Sequence, residues 1–274
     1  MRFADSKTLV SAAKTVKIYD LDTAKSIRKI EHGDSKIYSL LVLDNFLLCT
    51  GDDEGCFRLW DYRVNRGGAA MEMKQCEDFI SDFDVDRDKR LVLASSGEGT
   101  LTAFNIRAKR MVEPQSELFD AGFQAVRFAE DVDRAVVGAE DGSINLFKLN
   151  EWGNIIERFP LVKGRRQTSF SIECIERISA KVFVAGCSDG IVRSFSINPN
   201  RALKIVETHE TPVECIAIQD FSNSYASVDA NTIRLGQFEN VNEGGDDKSS
   251  DEDEGEAKTQ KKEKPTNDFF SGLA

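Results

Sequence analysis

The amino-acid sequence predicts an all-β fold, a β-propeller made of small sheets packed around a central axis. Two observations lead to this prediction. A pattern of alternating residues that ends in an aromatic side chain recurs at a period near 43 residues, which is the length of one four-stranded propeller blade. No segment shows a convincing helical spacing of apolar residues, whereas short apolar runs precede the copies of the pattern.

The repeat can be followed by its last position, where an aromatic residue ends the third strand of each predicted blade. Six copies align, and the spacings between successive copies are 41, 44, 43, 48 and 41 residues. The six positions are Tyr19, Trp60, Phe104, Phe147, Phe195 and Gly236. Because glycine has no ring, the sixth copy departs most from the pattern.

The turn before this third strand has its own signature. A glycine lies five positions before four of the aromatic residues, and an aspartate or glutamate precedes it each time: Gly55, Gly99, Gly142 and Gly190. Such pairs supply a positive φ at little steric cost, as a tight hairpin requires. Apolar runs upstream, such as residues 91–94 and 181–184, then fit the second strand of each blade.

The composition excludes several classes of protein. The chain has 36 lysines and arginines against 47 aspartates and glutamates, a net charge of −11, which disfavours a protein whose main affinity is for nucleic-acid phosphates. Only two histidines are present, and the six cysteines lack metal-binding or redox spacings. No signal peptide or membrane-length apolar run is present. We therefore expect an intracellular protein with no membrane partner, metal, cofactor or small-molecule substrate.

The chain divides near residue 240 into a propeller, residues 1–240, and an acidic tail, residues 241–274. The tail holds ten acids and five lysines, which predicts disorder. Ser249 and Ser250 precede four acidic residues and are candidates for phosphorylation by an acidophilic kinase, although a solvating spacer explains the same residues equally well. Phe269 and Phe270 near the end suit a short docking motif or an exposed apolar end.

The first copy of the repeat begins late. Arg2 and Phe3 stand where the innermost strand of a blade should end, so we expect the chain to start inside a blade. The sequence then accounts for about five to six blades. We expect the N-terminal blade to be missing, together with the strand that would join the last blade to the first and close the ring. An upstream exon encoding a further repeat would support this expectation. A monomeric, cooperatively folded product starting at Met1 would contradict it.

The segment that ends in Trp60-Asp61 resembles the WD-repeat family. In that family a His, an Asp, a Ser or Thr and a Trp form a structural hydrogen-bond network, and the pattern falls here on His32, Asp44, Thr50 and Trp60. The resemblance implies that these residues stabilise the fold and are not catalytic, since buried polar groups are costly unless they satisfy one another.

The resemblance to the WD-repeat family also implies a ring of seven blades, and the other copies depart from the network pattern. Cys76 takes the His position of the third copy. In the last copy, Ala226 takes the hydroxyl position and Gly236 the aromatic position.

Several strings, in their order and spacing, resemble one branch of this family, that of WD repeat-containing protein 55. They are residues 51–55 with 59–63, 73–77, 113–116, 198–201 and 268–270. This resemblance covers nearly the whole chain. It implies a non-enzymatic scaffold of the nucleus and nucleolus, with the cytoplasm as a further location, that supports ribosomal RNA production and ribosome biogenesis through pre-ribosomal assembly factors.

A second hypothesis rests on the Trp-Asp-x-Arg segment. Trp60, Asp61 and Arg63 resemble the box by which some propellers dock to the damage-specific DNA-binding adaptor of cullin-4 ubiquitin ligases. An Arg just beyond a strand can present its planar donor groups to a partner carboxylate. This resemblance implies a substrate receptor as the alternative to the ribosomal scaffold.

Two further features weigh on partners and chemistry. Basic clusters recur on the predicted connections between strands, at residues 63–66, 87–90, 107–110 and 163–166. They would contact RNA only if several of them shared one face of the propeller. Isolated surface loops are the stronger expectation. The string at 186–190 matches the G-x-S-x-G pattern of hydrolases, but it falls in the repeat's hairpin turn with no helix after it. We therefore predict that the protein is not an enzyme.

Overall fold

The structure is a computed structural model that describes residues 1–44, 46–64, 68–162, 170–219 and 223–238. These residues form 23 β-strands and one 3-10 turn, Glu130–Val132. The strands hydrogen bond into six separate antiparallel sheets, which confirms the prediction of an all-β propeller with about six blades. Within the described ranges, no helix is long and apolar enough to cross a membrane.

Each sheet is one blade, and the blades are named A to F in chain order. Blade A contains β1 (Arg2–Phe3), β2 (Thr8–Ala12), β3 (Thr15–Asp20) and β4 (Lys25–Glu31); blade B contains β5 (Ile37–Val42), β6 (Leu47–Asp52), β7 (Cys56–Asp61) and β8 (Met71–Lys74); and blade C contains β9 (Ile80–Val85), β10 (Leu91–Ser96), β11 (Leu101–Asn105) and β12 (Arg110–Val112).

The second half of the propeller follows the same order. Blade D contains β13 (Phe123–Ala129), β14 (Arg134–Ala139), β15 (Ser143–Lys148) and β16 (Glu157–Pro160); blade E contains β17 (Ile172–Arg177), β18 (Val182–Cys187), β19 (Ile191–Ser196) and β20 (Arg201–Thr208); and blade F contains β21 (Val213–Gln219), β22 (Ser224–Asp229) and β23 (Ile233–Gln237).

The innermost strands link neighbouring blades around the axis. Ser39 Oγ on β5 donates to the Ile80 carbonyl on β9 at 2.8 Å. Ser81 Oγ on β9 donates to the Phe123 carbonyl on β13 at 2.6 Å. The innermost strand of a blade has one edge without a strand partner, so side chains of the adjacent blade supply the hydrogen bonds that its backbone needs.

The predicted acid-glycine turns join the second and third strands. Gly55 has a φ of +75°, and a Cβ atom there would lie 2.1 Å from the carbonyl oxygen of Cys76. Gly190 has a φ of +80°, and a Cβ atom would lie 2.5 Å from the His209 carbonyl oxygen. Glycine is therefore needed both for the backbone conformation and for the close approach of the loop that leads to the next blade.

The hydrophobic core lies between the blades, where the third strands present their large side chains. Phe57 of blade B stacks on Phe104 of blade C with ring centroids 4.2 Å apart, and both rings are fully buried. Burial of one such side chain contributes about 2–3 kcal/mol. Phe104, one of the repeating aromatic residues, thus packs against the preceding blade.

The outward face of blade F is uncovered in the described structure. Ile233 and Leu235 on β23 are 70% and 80% exposed. By strand register they correspond to Phe57 and Leu59 of blade B, which are buried against blade C. Because blade F has three strands, β23 also presents a sheet edge without a partner strand among the described residues.

Candidate functional site: the interblade networks and the Trp-Asp-x-Arg segment

Three of the four predicted network residues meet between blades A and B. His32 Nε2 lies 3.0 Å from Thr50 Oγ1, and the indole Nε1 of Trp60 donates to the same hydroxyl oxygen at 2.9 Å. All three side chains are buried. Burial, followed by the nearby Arg58 guanidinium, lowers the pKa of His32, so the ring is neutral at physiological pH.

Asp44 does not belong to this network. It lies exposed in the turn between β5 and β6, where its Oδ1 accepts the backbone N–H groups of Phe46 and Leu47 at 2.7 and 2.8 Å. Asp52, the last residue of β6, takes the place predicted for Asp44. Burial explains the difference, since Asp44 is exposed whereas Asp52 is fully buried.

Asp52 reaches the network through an arginine. Its fully buried carboxylate accepts the Cys56 backbone N–H at 2.8 Å and pairs with Arg58 Nη1 at 2.5 Å. The same Nη1 atom lies 3.2 Å from His32 Nε2. The buried charge of Asp52 is therefore paired and hydrogen bonded, as burial of a carboxylate requires.

Blade F carries a second network of the same kind. His209 Nε2 lies 2.7 Å from Ser227 Oγ, and His209 Nδ1 lies 3.4 Å from Asp229 Oδ2. The hydroxyl position in this copy belongs to Ser227, not to Ala226, because the register pairs Ser227 with Arg234 as it pairs Thr50 with Arg58.

The missing aromatic of the last copy also has an explanation. A Cβ atom on Gly236 would lie 2.5 Å from the hydroxyl oxygen of Tyr225. Tyr225, on the neighbouring strand β22, thus fills the space in front of Gly236. A larger residue at position 236 would require that ring to move.

Blade C replaces the histidine with a thiol. Cys76 is buried, and its Sγ lies 3.9 Å from Thr102 Oγ1. Gln115 Nε2 donates to the Thr102 hydroxyl oxygen at 3.0 Å and to the Thr100 hydroxyl oxygen at 3.2 Å. Burial raises the pKa of the Cys76 thiol, so the group stays protonated and serves packing.

The side chain of Arg63 is engaged within its own turn. Its Nε and Nη2 donate to the two carboxylate oxygens of Asp61 at 2.9 and 2.6 Å. Its guanidinium carbon also lies 4.8 Å from the centroid of the Phe46 ring. A partner carboxylate would have to compete with Asp61 for this two-pronged contact.

The sequence analysis missed an ionic network at the axis. Arg127 Nη1 on β13 pairs with Asp82 Oδ2 on β9 at 2.5 Å, and Nη2 pairs with Glu176 Oε1 on β17 at 2.7 Å. Asp84 Oδ2 accepts the Phe128 backbone N–H at 2.7 Å. Asp84, Arg127 and Glu176 hold the same repeat position in three successive blades, and this alternation of charge is the signal that could have revealed the network.

The remaining predicted residues divide into two groups. Ser249, Ser250, Phe269 and Phe270 lie outside the described residues. Ser188, in the hydrolase-like string, accepts the Ser171 backbone N–H on its Oγ at 2.8 Å in a hairpin turn. Within the described residues, no group of three or more His, Cys, Asp or Glu side chains is arranged to hold a metal ion.

Comparisons with known proteins bear on the family. No family model matches the chain. WD repeat-containing protein 55 of Bos taurus is 36% identical over 215 residues, 76% of this chain and 53% of that protein. The Mus musculus protein of the same name is 35% identical over 80% of this chain and 54% of its own length. A Drosophila willistoni homologue is 32% identical over 81% of this chain and 43% of its own length.

The chain spans about half the length of the curated relatives that it matches. The similarity covers 76–80% of this chain. The described residues form five four-stranded sheets and one three-stranded sheet, with the repeat length and the hairpin chemistry of WD repeats. The chain is therefore a WD-repeat β-propeller, and its similarity is to WD repeat-containing protein 55.

Proposed function

We propose that this protein is a non-enzymatic WD-repeat scaffold that acts in ribosome biogenesis and ribosomal RNA production in the nucleolus. The observation that supports the proposal is the similarity to WD repeat-containing protein 55 over about 80% of the chain. The resemblance to that branch implies the nucleolar role, with pre-ribosomal assembly factors as partners.

The chemistry of the described residues suits binding better than catalysis. Both histidines are buried and hydrogen bonded to hydroxyl groups of their own networks. Burial raises the pKa of Cys49 and Cys174, so those thiols are poor nucleophiles at neutral pH.

The described surface also offers an exposed aromatic group. Tyr38 is 59% exposed at the start of β5, with its ring 5.0 Å from the ring of Phe79 on the next blade. Exposed tyrosines of this kind commonly anchor protein partners. The proposal therefore requires only surfaces for assembly.

Proximity labelling of the endogenous protein tests this proposal, with the ratio of ribosomal RNA precursors measured after its depletion. We expect enrichment of nucleolar assembly factors and accumulation of precursors. Absence of nucleolar enrichment together with unchanged precursor ratios would refute the proposal.

The same experiment separates the alternative. Labelling of cullin-4 components that disappears in an Arg63→Ala variant would favour a substrate receptor. Since Arg63 is paired with Asp61, we expect that variant to leave the labelled proteins unchanged.

A further inference from the structure

Two basic segments that are separate in the sequence come together at one corner of blade C. The turn between β9 and β10 carries Lys89 and Arg90, and the turn between β11 and β12 carries Arg107 and Lys109. The Ile106 backbone N–H donates to the Arg90 carbonyl at 3.0 Å, which joins the two turns.

The corner is completed by the first residue of β12. Arg107 Nη2 donates to the carbonyl of Asp88 in the opposite turn at 2.9 Å. In the strand register, Arg110 of β12 lies opposite Asn105 of β11, and Asn105 lies opposite Leu91 of β10. We name the five cations of these turns the blade C basic corner: Lys89, Arg90, Arg107, Lys109 and Arg110.

Little within the described structure neutralises the blade C basic corner. All five residues are exposed. Among the described residues, the one carboxylate within ion-pair distance of them is Asp88, 4.0 Å from Arg90. Asp86 accepts the backbone N–H groups of Arg90 and Leu91 at 2.6 and 2.8 Å. With these two acids counted, the corner is a local charge of +3 on a chain of −11.

The neighbouring Arg87 differs and is not part of the corner. Its Nη2 donates to both carboxylate oxygens of Asp131 on blade D at 2.7 and 2.6 Å. The contrast shows that Arg87 is neutralised by a two-pronged ion pair, whereas the blade C basic corner has a single long contact, between Arg90 and Asp88, within the described residues.

Both turns place a lysine where the backbone is strained. Lys89 has a φ of +51° and Lys109 a φ of +52°. Glycine, asparagine or aspartate tolerates this conformation better, and the corresponding turns of blades D and E use Asp133, Asn150 and Asn198. The corresponding turn of blade A uses Ala24 at a φ of +53°, so the conformation itself does not require a charge. Lys89 Nζ donates to the Leu43 carbonyl of blade B, whereas no such contact holds Lys109 within the described residues.

The corner has no exposed large apolar side chain, and Ile106 between its turns is buried. Docking of a protein segment normally uses an apolar or aromatic anchor. Binding of a phosphate backbone needs none, because release of counterions supplies the free energy, and arginine offers paired donors to phosphate oxygens. The blade C basic corner therefore fits nucleic acid better than an acidic protein segment.

We propose that the blade C basic corner binds the phosphate backbone of RNA without reading its sequence. This inference rests on the proposed function only in its choice of RNA as the natural ligand. The corner carries no exposed aromatic ring for base stacking, so contact through phosphates is the mode that its residues allow.

The test measures binding of a fluorescent RNA hairpin to the 274-residue chain between 50 and 200 mM salt. With three to five phosphate contacts, the slope of log affinity against log salt is about −3 to −4.5. The Lys109→Gln, Arg110→Gln variant should reduce the magnitude of this slope by about 2 and weaken binding about tenfold or more.

The matched control is the Lys14→Gln, Lys36→Gln variant, which removes the same charge from exposed residues of blades A and B. Both lysines lie at the blade ends opposite to those that carry the basic corner in blade C. It should bind RNA as the unchanged protein does. A DNA hairpin and a polyglutamate peptide serve as further probes, and binding of either hairpin supports a phosphate site.

Three results would overturn the inference: no binding of either hairpin at 50 mM salt, equal losses in the two double variants, or binding of polyglutamate alone. The measurement uses purified protein, so its outcome is independent of nucleolar location. Failure here would leave the scaffold proposal intact, and failure of the labelling experiment would leave this one intact.

Discussion

Replacement of Thr50 by valine tests the interblade network most directly. Valine keeps the branched shape and removes the hydroxyl, which is fully buried and contacts both Trp60 Nε1 and His32 Nε2. Each buried polar group left without a partner costs about 1–3 kcal/mol. Trp60 Nε1 would be left without a partner, whereas His32 Nε2 keeps Arg58 Nη1 at 3.2 Å. Thr50→Val should therefore lower the free energy of unfolding by about 1–3 kcal/mol, a fall of roughly 2–12 °C in Tm.

Urea unfolding at pH 7, followed by circular dichroism and tryptophan fluorescence, measures this loss. Thr208→Val is the matched control, since Thr208 is an exposed strand residue. A Trp60→Phe variant and the double variant complete a cycle, in which we expect a coupling of about 1 kcal/mol or more. If Thr50→Val proves as stable as Thr208→Val, the network is not what holds blades A and B together.

Three further predictions follow from particular positions. Gly55→Ala should destabilise the protein by more than about 1 kcal/mol because of its positive φ and the Cys76 carbonyl, whereas Gly68→Ala, with no atom near its Cβ, should leave Tm unchanged. Leu235→Lys should reduce self-association in sedimentation velocity without loss of stability, while Leu59→Lys at the buried equivalent position should unfold the chain. Burial raises the pKa of Asp84 to about 6, above its value of about 3.9 in the unfolded chain. The native state then binds the proton more tightly, so Asp84 lowers the free energy of unfolding as pH rises from about 4 to about 6, by up to about 3 kcal/mol. Asp84→Asn should flatten unfolding free energy measured across this range, and an unchanged pH profile would contradict the assignment.

The repeat period and turn chemistry were sufficient to predict the blades because both are local. Each acid-glycine pair marks a hairpin through its own backbone, and each aromatic marks a third strand through its spacing. The aspartate of the interblade network could not be identified from the sequence. Asp44 precedes β6 and Asp52 ends it, and only the three-dimensional position of His32 distinguishes them.

The ionic network at the axis could not be predicted from the sequence for the same reason. Asp84, Arg127 and Glu176 are 43 and 49 residues apart, so no local window contains two of them. The ion pairs of Arg127 with Asp82 and Glu176 depend on the angle between successive blades, which the spacing of repeats does not specify. The same holds for the blade C basic corner, whose two turns read as separate surface loops until the sheet between them is built.

The uncovered face of blade F affects which part of the propeller unfolds locally. Each blade packs on its neighbours in chain order, so stability spreads along the propeller as it does along a stack of repeats. Within the described residues, blade F has three strands and exposed apolar side chains on one face, so its local unfolding loses fewer contacts than that of blade C, which is packed on both sides. In native-state hydrogen exchange, amides of β22 should exchange through local opening, and those of β10 only when the whole propeller unfolds.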